Sequence, residues 1–185
     1  PYAKSKLKIE EYLIQKAKEK KILFIILRYF NVAGADIKNR SGLISKNSSN
    51  LVKVLCEVAT KKRDKITING NDYKTKDGTA IRDFIHVSDI ADMHYVVAKF
   101  MLKETFSDVY NCGYGSGYSV KEVIKEMEKI LTKKLKVDIG PRRKNDIPIS
   151  IANADKFKKK FNWKPKFNNL NYILTTALDW EKKLK

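Results

Sequence analysis

The sequence is poor in cysteine, proline and glycine, and it contains no long apolar run. Its 185 residues include only 2 Cys, 4 Pro and 8 Gly, which excludes a disulfide framework. Cys56 and Cys112 lie in predicted apolar elements with no CxxC motif and no histidine nearby at ligand spacing, so we predict that both are reduced core residues. No stretch approaches the roughly 18 consecutive apolar residues of a membrane span, and the start has no signal-peptide pattern. These absences favour a cytoplasmic protein without a membrane partner.

Arginine is scarce as well, although the formal net charge is +18. The six arginines are Arg28, Arg40, Arg63, Arg82, Arg142 and Arg143, and the rest of the 39 basic residues are lysines spread over predicted helix surfaces. A nucleic-acid-binding module, the alternative from a different functional class, would need a basic cluster with stacking aromatics between its charges. Here the aromatics fall mainly in apolar runs. We therefore predict no nucleic-acid partner.

Strands and helices alternate along the chain. Residues 2–19 carry apolar side chains near a 3.6-residue period, which predicts an amphipathic helix, and the apolar run 22–30 is typical of a parallel strand covered on both faces. Polar, turn-rich stretches predict loops over 31–49, 69–83 and 141–148. Further predicted elements are helix 50–61, strands 66–68 and 84–87, helix 89–103 with Ser88 as N-cap, strand 109–112, helix 119–132, strand 136–139, a short helix from 153 or 154, and helix 169–183. The order predicts one compact α/β unit.

The predicted first helix carries Tyr2 and Lys6, one turn apart. A spacing of four places the two side chains on one helix face, with their β-carbons roughly 6 Å apart. A neighbouring ammonium favours the phenolate form of a tyrosine, which could then accept a proton from a hydroxyl group. Because Tyr-x-x-x-Lys also recurs by chance on solvated helices, the pair needs support from the residues around it.

That support is a resemblance to a known family. The sequences PYAKSK at residues 1–6 and LRYFNVAGA at 27–35 resemble the extended short-chain dehydrogenase/reductase family. The block GNDYKTKDGTAIRDFIHVSDIA at 70–91 is similar to the signature of the UDP-glucose 4-epimerases, as are the stretches at 110–113 and 141–148. The resemblance implies a partial NAD(P)-binding Rossmann-like fold, its C-terminal part, interleaved with the small substrate-binding α/β domain over 1–185. It also implies a fragment, because the glycine-rich turn of the NAD-binding half is missing from these residues.

The same resemblance implies NAD as cofactor and inversion at sugar carbon 4 by removal and return of a hydride. Tyr2 would be the catalytic base and later the acid, while Lys6 would favour its phenolate and hold the nicotinamide ribose. Tyr29 and Phe30 would lie near the nicotinamide, the alternative being that they are strand core. Similar enzymes are commonly homodimers, so we expect a homodimer of the full-length protein and no turnover by residues 1–185 alone.

The UDP-sugar substrate would be bound by a second set of residues. By resemblance, Arg82 and Arg143 bind the diphosphate, which suits the guanidinium fork, although surface salt bridges are the alternative. Asp146 matches an acidic residue near the ribose hydroxyls. The positions implied to contact the sugar or the uracil are Asn31, Asn50, Leu51, Thr67, Ile68 and Asn69. For the asparagines and Asp146, loop capping is the alternative.

Position 150 departs from the pattern. Ser150 falls where epimerases confined to glucose and galactose carry a bulky tyrosine over the sugar. We hypothesise that the smaller side chain leaves room for the acetamido group of UDP-N-acetylhexosamines. The rival functions within the superfamily are a nucleotide-sugar 4,6-dehydratase and a uronate 4-epimerase, which share the Tyr and Lys chemistry.

Overall fold

The computed structural model describes the backbone of residues 2–184 and the side chains of residues 3–184. Within this part of the chain, helices alternate with short strands, which confirms the predicted α/β class. The helices are α1 (Tyr2–Lys18), α2 (Leu51–Ala59), α3 (Val87–Met101), α4 (Val120–Leu131), α5 (Asp155–Phe161) and α6 (Leu170–Lys183). The strands are β1 (Ile25–Tyr29), β2 (Asn31–Ala33), β3 (Ile66–Asn69), β4 (Ile81–Arg82), β5 (Phe84–His86), β6 (Asp108–Cys112), β7 (Tyr118–Ser119), β8 (Val137–Gly140) and β9 (Ile149–Ser150).

Most of the strand pairs are parallel. Strand β1 pairs with β6, β2 with β5, and β3 with β8. Strand β4 lies between β9, to which it is parallel, and β7, to which it is antiparallel. Ile25, Ile26 and Leu27 of β1 are partly buried and Arg28 and Tyr29 are exposed, so the prediction of a strand covered on both faces is wrong within the described residues.

The core lies where α2, α4 and α6 pack together beside the strands. Leu55 of α2, Val123 and Met127 of α4, and Leu174 of α6 are fully or almost fully buried. Helix α4 shows how the local sequence directs the packing, since Ser119 and Glu122 form a capping box at its start. Both cysteines are free and buried, as predicted.

Several short strands differ from the predictions. The predicted strand 22–30 is shorter, and residues 31–33, predicted as loop, form β2 beside β5. Strand β4 likewise lies inside the predicted loop 69–83. Strands of two or three residues carry no periodicity of their own, and they form here because distant segments supply their hydrogen-bonding partners.

The predicted start of α3 is also wrong. The N-cap is His86 rather than Ser88, and its ring nitrogen Nδ1 accepts a hydrogen bond from the Ser88 backbone amide at 3.1 Å. His86 is fully buried, and burial lowers its pKa. A neutral imidazole accepts at one nitrogen, so it can replace the serine hydroxyl as the cap.

Candidate functional site

A cavity of about 340 Å³ opens among β2, β3, β4, the start of α2 and the loop after β8. Eight of the ten predicted substrate residues line it. They are Asn31, Asn50, Leu51, Thr67, Asn69, Arg82, Arg143 and Asp146. The fold brings these residues to one wall, since Asn31 and Asp146, the first and the last of them, lie 115 positions apart in the sequence.

Arg82 and Asp146 form an ion pair at this cavity. The Arg82 Nη2 atom lies 2.5 Å from Asp146 Oδ1, and both side chains are partly exposed. Tyr73 donates from its hydroxyl to the other carboxylate oxygen, Oδ2, at 3.2 Å. Both oxygens of Asp146 are therefore engaged, one by a guanidinium and one by a phenol.

Arg143 lies against Asn69 at the end of β3. With the amide oxygen of Asn69 turned toward Arg143, that oxygen accepts from Nε and Nη2 of the guanidinium, both at 3.3 Å. Two arginines thus face the cavity from different segments, β4 and the loop after β8. Such an arrangement suits a diphosphate, whose two phosphates can each meet one guanidinium fork.

Two further cations line the cavity that were not among the predicted site residues. Arg63 donates to Glu57 Oε2 at 3.1 Å, and Lys65 is ion-paired with Asp138. Both are cavity-lining residues that lie just before β3. Because arginine is scarce in the sequence, Arg63 could have been singled out as a site residue, but no motif surrounds it. Lys65 could not have been singled out, because it is one of many lysines.

Asn50 has both of the roles considered from the sequence. It lines the cavity and is also the N-cap of α2, where its Oδ1 accepts from the Lys53 backbone amide at 3.2 Å. Asn31 opens β2, and its backbone amide donates to the Asp83 carbonyl at 3.0 Å. Both asparagines are therefore held by main-chain interactions.

Ser150 and Ile68 lie outside the lining of this cavity. Ser150 is half-buried in β9 and is aligned with Arg82 in the parallel pairing of β9 with β4. Its carbonyl accepts from the Asp83 amide at 3.0 Å. The Ile68 side chain points into the hydrophobic core, while Thr67 and Asn69 on either side of it reach the cavity.

The predicted catalytic and cofactor residues lie at two other elements. Lys6 is exposed on α1, one turn after Tyr2, whose side chain lies outside the described residues. Tyr29 ends β1 with half of its surface exposed, its ring centroid 5.6 Å from that of His94. Phe30 follows and is half-buried.

A second cavity of about 410 Å³ shares Asn50 with the first. It is mostly apolar, but it contains the buried ion pair of Lys53 and Glu181, whose atoms lie 2.5 Å apart. Lys62 contacts the other oxygen of Glu181 at 3.0 Å. This network joins α2 to the end of α6, and nothing in the sequence indicated it.

Residues 2–184 contain neither a candidate membrane-spanning helix nor a candidate metal-binding cluster. No helix in this range is long and apolar enough to cross a membrane. Within the same range, no three histidine, cysteine, aspartate or glutamate side chains are grouped as they would be to hold a metal ion.

Comparison with known proteins identifies relatives over the whole chain. The sequence model of the NAD dependent epimerase/dehydratase family matches residues 1–113. A UDP-glucose 4-epimerase from Azospirillum brasilense is 40% identical over 185 residues, which are 100% of this chain and 53% of that protein. The chain thus spans about half the length of the curated relatives that it matches.

Solved structures of UDP-glucose 4-epimerases are also similar to the chain over its whole length. The UDP-glucose-4-epimerase of Stenotrophomonas maltophila, with bound NAD and formylated UDP-arabinopyranose, superposes with a TM-score of 0.94 at 32% identity, covering 100% of this chain and 55% of that chain. The UDP-Glc/GlcNAc 4-epimerase of Campylobacter jejuni is 44% identical with a TM-score of 0.78, covering 99% and 56%. The predicted Rossmann-like fold class is confirmed by these likenesses.

Proposed function

The chain belongs to the NAD dependent epimerase/dehydratase family, and from this we propose that it supplies the UDP-sugar-binding part of a UDP-glucose 4-epimerase. The reaction would interconvert UDP-glucose and UDP-galactose by inverting carbon 4 of the sugar. The observation that carries the proposal is the convergence of eight predicted substrate residues on one cavity of about 340 Å³. These residues were selected from sequence motifs alone, and an accidental match to the motifs would not bring eight of them to one cavity.

The charges of the cavity support a nucleotide diphosphate as ligand. Arg82 and Arg143 approach it from two segments, and Arg63 and Lys65 add positive charge. Guanidinium groups can hold phosphate oxygens through two parallel hydrogen bonds, which a lysine cannot. We therefore assign the diphosphate to the arginines and the ribose hydroxyls to Asp146, which accepts hydrogen bonds when ionised.

The proton chemistry is assigned to Tyr2 and Lys6. The phenolic oxygen of Tyr2 would take the proton of the 4-hydroxyl and later return it, while the Lys6 cation favours the phenolate. NAD, when bound, would accept the carbon-4 hydride and give it back. Tyr29 fits the nicotinamide end, because it is half exposed at the carboxyl end of the parallel pair β1 and β6, where α/β sheets bind ligands.

Turnover by the complete gene product tests this function. We expect that product, supplied with NAD, to convert UDP-galactose to UDP-glucose, measured by chromatography of the nucleotide sugars. Tyr2→Phe should lower kcat by roughly 10²-fold or more, with UDP binding unchanged as the control for folding. Residues 1–185 alone should show no turnover and no tight NAD binding, since they contain no glycine-rich turn for the pyrophosphate.

The same assay separates the rival reactions. A 4,6-dehydratase would accumulate a 4-keto-6-deoxy sugar, and a uronate 4-epimerase would require the acidic sugar. Either product, without UDP-glucose, would overturn the proposed reaction while leaving the family assignment intact.

We also propose that the enzyme accepts UDP-N-acetylhexosamines, because Ser150, which is aligned with the cavity-lining Arg82 in the β4–β9 pairing, is small. The similarity to a relative whose name includes both sugar types supports this. Ser150→Tyr should lower activity on UDP-N-acetylgalactosamine at least tenfold and leave UDP-galactose turnover within about threefold. A wild-type enzyme that turns over only the plain hexoses would refute the proposal.

For the complete protein we further propose a cytoplasmic homodimer. Helix α1 exposes Leu7, Ile9 and Tyr12 by more than half, and apolar surface of this kind favours contact with another chain. Light scattering of the purified complete product should give twice the mass of one chain, and a monomer at micromolar concentration would refute the dimer.

A further inference from the structure

Tyr73 is buried beside the cavity, and the proposed function leaves it without a role. It is 4% exposed, and its hydroxyl reaches Asp146 Oδ2 at 3.2 Å. Its ring is covered on one side by the Arg142 guanidinium, 4.2 Å from the ring centroid. Arg142 is held in turn by Asp72, whose Oδ1 accepts from Nε at 2.6 Å. The phenol is therefore fixed by its surroundings.

The ring joins two segments of the cavity wall. Tyr73 lies in the loop after β3, and its amide donates to the Gly78 carbonyl at 2.9 Å, which closes that loop on itself. Asp146 and Arg142 belong to the loop after β8. Tyr73 is thus one of the contacts that join the two loops, together with the Asp72–Arg142 ion pair.

The hydroxyl of Tyr73 acts as a donor. Burial raises its pKa, and the neighbouring Asp146 carboxylate raises it further. The phenol therefore stays protonated at neutral pH and offers its hydrogen to the carboxylate.

We propose that Tyr73 is a positioning residue that orients the Asp146 carboxylate toward the ribose of the bound nucleotide. Without the phenol, Asp146 Oδ2 is free to rotate toward Arg82, which already holds Oδ1. A carboxylate that pairs through both oxygens with a guanidinium accepts fewer hydrogen bonds from ribose. The role rests on the proposed function, since it needs a uridine nucleotide in the cavity.

The test compares two nucleotides on the complete gene product. Tyr73→Phe should weaken binding of UDP about tenfold, or about 1.4 kcal/mol, in titration calorimetry. Binding of 2′,3′-dideoxy-UDP should change less than twofold, because it has no ribose hydroxyls for Asp146 to contact. With UDP-galactose, KM should rise while kcat stays within twofold.

Tyr110→Phe is the matched control. Tyr110 is also buried and has Asp108 as a partner, with burial raising its pKa to about 12, but it lies away from the cavity. Its substitution should leave both nucleotides unaffected. If Tyr73→Phe does not fold, Arg142→Ala can be used in its place, because it removes the guanidinium that covers the Tyr73 ring. We expect it to weaken UDP binding less than Tyr73→Phe would, and again only for the nucleotide with ribose hydroxyls.

The outcomes are distinguishable. Equal loss for both nucleotides, or no loss for either, would overturn the role of Tyr73 while the proposed function stands. If the wild-type protein does not bind UDP at all, the proposed function fails first, and the role of Tyr73 fails with it.

Discussion

The two cavities that share Asn50 hold ion pairs of opposite character. Arg82 and Asp146, in the smaller cavity, keep 17% and 25% of their side-chain surface exposed. Lys53 and Glu181, in the larger one, keep only 7% and 2%. One pair is open to solvent and to a ligand, while the other is sealed between α2 and α6.

The difference in exposure indicates that the first pair serves ligand binding and the second serves stability. A partly exposed pair contributes little to stability, and it leaves the Arg82 guanidinium accessible to a phosphate beside the carboxylate at small cost to the fold. A buried pair cannot be separated without leaving an uncompensated charge. Because Lys53 lies in the first turn of α2, next to its cap Asn50, the sealed pair fixes a wall of the open cavity.

Breaking the sealed pair should have the largest effect. Lys53→Met removes one partner and leaves Glu181 with Lys62 alone, so we expect the free energy of unfolding to fall by about 3 kcal/mol. Urea denaturation of the purified chain measures it. The double variant with Glu181→Leu should recover most of the loss, since apolar replacement of both partners removes the buried pair, while Glu57, the second carboxylate near Lys53, keeps Arg63 as its partner. A double variant as unstable as the single one would contradict this explanation.

Breaking the open pair should affect binding instead. Arg82→Ala should weaken UDP binding by about 2 kcal/mol, the range for a lost hydrogen bond to a charged group, while unfolding changes by less than about 1 kcal/mol. Titration calorimetry and urea denaturation measure the two quantities. Arg40→Ala is the control, because Arg40 pairs with Asp36 at an exposed site away from the cavity. A loss of stability as large as that of Lys53→Met would remove the distinction between the pairs.

The loop beside the open pair has a steric requirement at Gly70. Its φ of +86° disfavours any side chain, and a β-carbon there would lie 2.5 Å from Arg142 Cγ and 2.9 Å from Tyr73 Cε2. Gly115 has a similar φ of +83°, but its nearest neighbour would be 3.5 Å away. We expect about 1 kcal/mol of destabilisation for Gly115→Ala and about 2 for Gly70→Ala, from thermal or urea unfolding. Equal losses would show that contact with Arg142 and Tyr73 does not matter.

The sequence predicted the regular elements well and the short ones poorly. Helix α4, predicted over 119–132, was recognisable because helical periodicity is a local feature, although Ser119 is its cap rather than its first residue. Strands β2 and β4 were not, since they exist only through pairing with β5, β7 and β9. The mistaken cap at Ser88 has the same origin, because the buried environment that makes His86 a neutral acceptor comes from tertiary packing.

The two cavities repeat this pattern. Motifs identified Arg82 and Asp146 as ligand residues. They did not show that the two residues pair with each other, because the pair is 64 residues apart in the sequence. Lys53 and Glu181 gave no signal at all, since a lysine on a helix is ordinarily solvated and its partner lies 128 residues away. The residue types and motifs were enough to predict that Arg82 and Asp146 bind a ligand. The importance of the Lys53–Glu181 pair is visible only from its burial in the structure.

The smallest expected effect is the dependence of stability on pH. Burial alone would raise the pKa of Glu181, but hydrogen bonds from Lys53 and Lys62 outweigh it, so the pKa lies below the usual 4.5. A carboxyl whose pKa is lower in the folded state stabilises the fold above pH 4.5, and this contribution is lost as the pH falls through the folded value. We expect a difference well under 1 kcal/mol between pH 7 and 5, then a steeper loss limited to about 1.4 kcal/mol per pH unit for one proton. Glu181→Gln, followed by urea unfolding from pH 7 to 3, should remove that component of the slope. An unchanged slope would mean that the sealed pair is already broken, or never formed, in solution.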